Sequence, residues 1–198
     1  KPANSPVGGI QIGNASSPPM PCASSHAAGT HSSRAGTGAA AQYAIDSTQL
    51  GGIYANRISL IATEQGVGVR MAGDAAASAA DFTLNAAGEI ELKNKISAKQ
   101  KISIQNHSAQ QQSWNIDGAL TAANIALGQA GQRNLNVKLN HGTLYAENTI
   151  DVQSHSLTAQ DAKIQAKSDL NLSSAASASL QDSHIDAGNL TLKSGQLT

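Results

Sequence analysis

Several stretches hold residue types that could do chemistry. GVGVR, from Gly66 to Arg70, has the look of a phosphate-binding loop. In such loops glycines let the backbone approach a pyrophosphate that rests on a helix N-terminus. Here Gly66, Gly68 and Gly73 give G-x-G-x-x-x-x-G instead of G-x-G-x-x-G, and no helical period follows. No G-x-x-x-x-G-K-[ST] occurs. The histidines are His26, His31, His107, His141, His155 and His184, and Cys22 is the single cysteine. A zinc site needs three or four converging ligands. His26 and His31 lie in Pro/Ser/Gly-rich text, and His141, His155 and His184 fall at different points of the pattern described next. No metal and no cofactor is expected, and no G-G-x-G-x-D calcium repeat is present.

What positions these residues is a repeat. LYAENTIDVQS (144–154), IQAKSDLNLSS (164–174) and IDAGNLTLKS (185–194) share one phrase. An aliphatic residue, a variable residue and alanine are followed by a few polar residues, then aliphatic–variable–aliphatic. The phrase recurs as IYANRISL (53–60), ISAKQKISI (96–104) and LTAANIAL (120–127), with a weaker copy ASAADFTL (77–84). Copies starting at 53, 77, 96, 120, 144, 164 and 185 give a period of 19 to 24 residues. A period near 20 built from alternating units is the signature of a solenoid.

Alternation puts Ile102 and Ile104 on one face and Ser103 on the other. The polar residues before them turn a corner from a short strand carrying Ile96 and Ala98. A third apolar pair follows in most copies: Val67/Val69, Ile90/Leu92, Trp114/Ile116, Leu135/Val137, Leu157/Ala159 and Ala178/Leu180. GVGVR is then a strand with its valines inward, Gly68 outward and Gly66 in the preceding turn. Three strands per coil around a narrow core, paired coil to coil at roughly 4.8 Å, satisfy the backbone hydrogen bonds. The sequence therefore predicts an all-β fold, a parallel β-helix of about seven coils, spanning about 34 Å on that spacing.

Composition agrees. The aromatic fraction is 3% within an apolar fraction of 40%, which suits a thin core of Ile, Leu, Val and Ala. Residues 1–42 are rich in Pro, Ser, Gly and Ala and read as a linker or peripheral segment, with only Ile10 and Ile12 suggesting a strand; residues 43–198 read as the β-helix. Formal net charge is +0, so no basic surplus exists to neutralise phosphates, and no nucleic-acid partner is expected. No run reaches the roughly 20 apolar residues of a membrane span. The N-terminus lacks a signal-peptide pattern, so an export signal is expected upstream of this stretch.

Many β-helices are polysaccharide lyases or hydrolases, which gather carboxylates or bases on one face. One outward column runs Ser59, Thr83, Ser103, Ala126, Asp151, Asn171, Thr191, and its neighbour runs Arg57, Asp81, Lys101, Asn124, Thr149, Asp169, Asn189. Neither places two acids side by side. The chain is expected not to be an enzyme and to have no catalytic residues; a carbohydrate-active β-helix enzyme is the alternative. QQQSWN (110–115) and AGQRN (130–134) interrupt the period and are the expected recognition surfaces, with Trp114 packed inward.

The stretch IDSTQLGGIYANRISLIATEQGVGVRMAG (45–73), with LGGIYANRI followed by T-E-x-G-V-G-V-R, resembles the segment that leads into the repeat region of filamentous haemagglutinin-like exoproteins. These include adhesins and contact-dependent growth-inhibition proteins of Gram-negative bacteria. The copies over 77–198 resemble that family's haemagglutinin repeats. The resemblance implies a right-handed parallel β-helix, exported through an outer-membrane two-partner secretion transporter to the cell surface or medium. The asparagine–proline motifs of the family's secretion domain are not found here, and 1–42 resembles the variable linker between that domain and the shaft. The expected role is a monomeric structural and adhesive shaft that projects a distal adhesin or toxin region and contacts a receptor or glycan on a host or target cell.

Overall fold

The structure is a computed structural model; it describes residues 9–13, 42–47, 51–62 and 64–198. Among these residues every regular element is a strand, and the strands coil into a parallel β-helix of about seven turns. The first coil is β3 (Ile53–Ala55), β4 (Arg57–Ala62) and β5 (Gly68–Met71). It is preceded by β1 (Gly9–Gly13) and β2 (Tyr43–Asp46). The second coil is β6 (Ala75–Ala77), β7 (Phe82–Ala86) and β8 (Ile90–Leu92), and the third is β9 (Lys95–Ala98), β10 (Lys101–Asn106) and β11 (Gln112–Ile116). The fourth joins its first two faces in β12 (Ala119–Leu127) and adds β13 (Leu135–Asn140). In β14 (Thr143–Gln160), β15 (Lys163–Gln181) and β16 (His184–Leu197) the strand runs through the corners of a coil, because few residues separate the faces there.

The register converts alternation into interior columns. Ile58, Phe82, Ile102, Ile125, Ile150, Leu170 and Leu190 stack on the second face, and Leu60, Leu84, Ile104, Leu127, Val152, Leu172 and Leu192 stack beside them. All of these are buried up to the sixth coil. Each such side chain contributes roughly 1.5–3 kcal/mol of burial. On the first face Ile53, Ala75, Ile96, Leu120, Leu144, Ile164 and Ile185 align. Two residues on, beside the corner, every coil carries alanine: Ala55, Ala77, Ala98, Ala122, Ala146, Ala166 and Ala187. The smallest side chain that carries a Cβ thus recurs beside the corner, which suits a closely packed interior.

The register also corrects the sequence reading in three places. The second coil begins at Ala75, which pairs with Ile53, and not at Ala77. The run AAASAA (75–80) admits both alignments. The third pair of the first coil is Val69/Met71, aligned with Ile90/Leu92, instead of Val67/Val69. Trp114 aligns with Val137, and Leu139 with Ala159, so the fourth coil's pair is Val137/Leu139 instead of Leu135/Val137. All three are slips of two residues, which keep the face and change the column. Gly68 keeps the outward side that alternation gives it, shared with Arg70, and it is buried there. A Cβ there would meet the Glu89 carbonyl oxygen at 2.6 Å and the Tyr43 ring at 3.2 Å, so the glycine makes room for a tyrosine laid over it.

The first coil is covered on two faces. Parallel β2 lies on β5, and antiparallel β1 lies on β4, with Gly9 opposite Ile61 and Gly13 opposite Arg57. The strand suggested by Ile10 and Ile12 is thus part of the sheet, the one antiparallel pairing among the described residues.

Candidate functional site

The outward columns are as the alternation places them: Ser59, Thr83, Ser103, Ala126, Asp151, Asn171 and Thr191 lie in one ladder. Lys101, Asn124, Thr149, Asp169 and Asn189 form the next. In the second of these columns, and at outward positions of the first and third faces, polar side chains bind each other from coil to coil. Thr149 Oγ1 donates to Asn124 Oδ1 at 3.0 Å, Asn189 Nδ2 to Asp169 Oδ1 at 2.9 Å, Ser156 Oγ to Asn136 Oδ1 at 2.6 Å and Gln165 Nε2 to Asp186 Oδ2 at 2.9 Å.

One stretch of the second face differs. A shallow groove of about 300 Å³ runs along the shaft over Asp151, Gln153, Asn171, Ser173, Thr191 and Lys193. A smaller recess of about 120 Å³ continues it under Gly131, Gln132 and Arg133. These belong to the AGQRN insert, which therefore forms a wall. The wall is held by its own bonds: Gly128 and Gly131 take φ of +77°, Gln129 N donates to Gln132 Oε1 at 3.1 Å, and Gln132 Nε2 donates to the Asn106 carbonyl at 3.3 Å. On the floor, Gln153 Nε2 donates to Asp151 Oδ1 at 2.6 Å. Among the described residues, the side chains of Asn171, Thr191, Lys193 and Arg133 make no hydrogen bond or ion pair.

The QQQSWN insert does something else. Ser108, Gln112 and Asn106 are buried and build a polar corner with residues from neighbouring coils. Gln112 Nε2 donates to Ser108 Oγ at 2.9 Å, Asn134 Nδ2 donates to the Ser108 carbonyl at 2.6 Å, and Gln65 Nε2 donates to the His107 carbonyl at 3.4 Å. Trp114 is fully buried between Ile90 and Val137, as the alternation predicts. Its Nε1 has no partner.

Charge pairs are few. Arg70 pairs with Asp46, and that hydrogen bond holds its pKa above the usual arginine value. Lys93 Nζ lies 2.7 Å from Glu91 Oε1, which raises the lysine in the same way. His26 and His31 lie outside the described residues. His107 and His184 are exposed and His155 is half-buried. His141 shows a relationship the sequence reading missed. His141, Asp161 and Asp182 occupy equivalent turns of successive coils, with φ of 60°, 50° and 48°. His141 Nε2 lies 3.6 Å from Asp161 Oδ2. Asp and Asn tolerate this left-handed conformation best. The 20- and 21-residue steps between them were the signal available. Among the described residues no group of three His, Cys, Asp or Glu is placed to hold a metal ion. No helix is long and apolar enough to cross a membrane.

About seven stacked coils with continuous interior columns define a parallel β-solenoid. Comparison with known proteins gives the family. The chain is 30% identical over 167 residues, 80% of its length, to the tRNA nuclease CdiA of Yersinia mollaretii. It is 52% identical over 64 residues, 32% of its length, to the tRNA nuclease CdiA-2 of Burkholderia pseudomallei. It is 43% identical over 70 residues, 35% of its length, to the 16S rRNA endonuclease CdiA of Enterobacter cloacae. No family model matches, and no solved structure matches significantly. The chain belongs to the contact-dependent inhibition exoprotein family and is a segment of that kind of large protein. It covers 5%, 2% and 2% of those three relatives.

The same names correct two expectations. A non-enzymatic chain without a nucleic-acid partner was expected, whereas these relatives are named for cleaving tRNA or 16S rRNA. Balanced charge and scattered carboxylates describe the coils within these 198 residues. They carry no information about an activity named for proteins at least twenty times longer than the matched region.

Proposed function

We propose that residues 43–198 serve as a length of shaft in a surface-exposed or secreted exoprotein of a Gram-negative bacterium. The observation that supports this most is the continuity of the interior columns through all the coil interfaces, which makes one stiff element of many short strands. The mechanism is mechanical. The stack holds a distal region away from the cell so that it meets a receptor or glycan on a neighbouring or host cell. The shaft itself is monomeric, residues 1–42 link or border it, and the parent is exported through an outer-membrane two-partner secretion transporter. The nuclease names of the relatives support a parent protein that delivers a toxin acting on RNA.

Coil deletion in the parent protein tests the reading. Removing residues 75–95 takes out one complete coil and brings Ile96 to the position of Ala75, the residue it already pairs with. Export and inhibition of neighbouring cells are expected to survive. Removing 75–84 cuts half a coil, puts the columns on its two sides out of register and is expected to abolish both. Loss of inhibition on whole-coil deletion, with export intact, would contradict a shaft role and assign this coil a specific contact.

A further inference from the structure

We infer that the groove over Asp151, Gln153, Asn171, Ser173, Thr191 and Lys193, with its Arg133 wall, is a binding site for an acidic sugar chain. The inference goes beyond the shaft reading and stands without it.

Four observations converge. First, in the adjoining outward column Thr149 bonds to Asn124 and Asn189 to Asp169 across coils, whereas Asn171, Thr191, Lys193 and Arg133 have no side-chain partner among the described residues. Polar groups in a recess that the protein leaves unengaged are available to a ligand. Second, the wall is preformed. The loop over 128–134 is closed by its own hydrogen bonds and anchored to Asn106, so little ordering remains for binding to cost. Third, the floor follows the shaft axis, with side chains repeating at the strand spacing of about 4.8 Å. That geometry suits an extended polymer with hydroxyl groups at regular intervals, matched by amides and hydroxyls that both donate and accept. Fourth, the charges favour an anionic chain. Arg133 lines the smaller recess and Lys193 the groove it continues, and the one carboxylate, Asp151, already accepts a hydrogen bond from Gln153.

A nucleic-acid strand fits less well. Single strands are held by stacking bases on aromatic side chains, and no aromatic residue lines the groove or the recess. Carboxylates on a sugar ring supply the negative charge and the hydroxyls together.

Titration of the chain with an oligogalacturonide tests the inference, followed by amide NMR shifts and calorimetry. An uncharged cello-oligosaccharide and an oligothymidylate of equal charge serve as comparisons. The uronate oligomer should bind, shift the amides of 131–133, 151–153, 171–173 and 191–193, and weaken as salt rises. The double variant Arg133→Ala/Lys193→Ala should weaken binding about tenfold or more, since two charge-assisted contacts are lost. Lys138→Ala, on the third face, should leave it unchanged. Circular dichroism and the melting curve of the double variant should match those of the parent chain. Absence of binding overturns the inference, and so does equal binding of the uncharged oligomer. Stronger binding of the oligothymidylate assigns the groove to nucleic acid instead. Binding that survives the double variant places the ligand elsewhere and overturns it as well.

Discussion

Arg70 reaches one coil back to Asp46, with Nη2 2.5 Å from Oδ2, although 24 residues separate them in the chain. The two are partners in the parallel ladder between β2 and β5. The same guanidinium lies 4.5 Å from the centre of the Tyr43 ring. A planar cation can stack and pair at once, which an ammonium cannot do as well. The pair fastens β2 over the first coil, at the edge where chain entropy would otherwise favour fraying.

Arg70→Met should therefore lower the melting temperature and raise amide exchange in 43–47 before the rest of the chain. Arg70→Lys should fall between the two. The difference from the parent chain should shrink in high salt, because both partners are partly solvated. Hydrogen exchange at two salt concentrations measures this; uniform protection across 43–47 in Arg70→Met would count against the fastening role.

Trp114 is the single tryptophan and is fully buried. Its emission should be blue-shifted in the native state and move red in one step on unfolding. Trp114→Ala should cost about 3–5 kcal/mol through cavity formation. Trp114→Phe should cost much less, since it keeps the ring in the Ile90–Val137 column and removes an N–H that has no partner. Denaturant melts of both variants check the order.

Gly118 sits where two coils approach closely. A Cβ at that position would meet the Asn94 carbonyl oxygen at 2.1 Å, a backbone atom that cannot swing aside. Gly118→Ala should destabilise by about 1–3 kcal/mol, the usual range for overpacking. Thermal or chemical melts of this variant give the number, and a neutral result would mean that the coils are free to separate there.

Much of this fold is legible in the sequence, because alternation fixes which side chains face the core. Ile102 and Ser103, or Leu170 and Asn171, are assigned by period 2 alone. What period 2 leaves open is the column. In LNVKL (135–139) three aliphatic residues alternate, and only pairing with Trp114 and Leu157 selects Val137 as the aligned one. AAASAA has the same degeneracy. The groove was half legible: the AGQRN insert pointed to a protruding loop, but its neighbours Gln153, Ser173 and Lys193 come from three later coils. The polar corner of Gln65, Ser108, Gln112 and Asn134 was not legible, since each of these residues reads locally as loop. They are brought together by stacking over separations such as the 43 residues between Gln65 and Ser108.

The central claim is the in/out register of the stacked coils, and neighbouring substitutions in the sixth coil test it most directly. Leu170 is fully buried between Ile150 and Leu190, whereas Asn171 points outward between Asp151 and Thr191. Leu170→Asp removes the leucine and leaves an unpaired carboxylate in the column, for a loss of about 3 kcal/mol or more. Asn171→Ser should change stability by no more than about 0.5 kcal/mol. The account predicts that denaturant melts separate the two variants by that margin. Equal losses, or a larger loss for Asn171→Ser, would mean a register wrong by one residue and every inward assignment wrong with it.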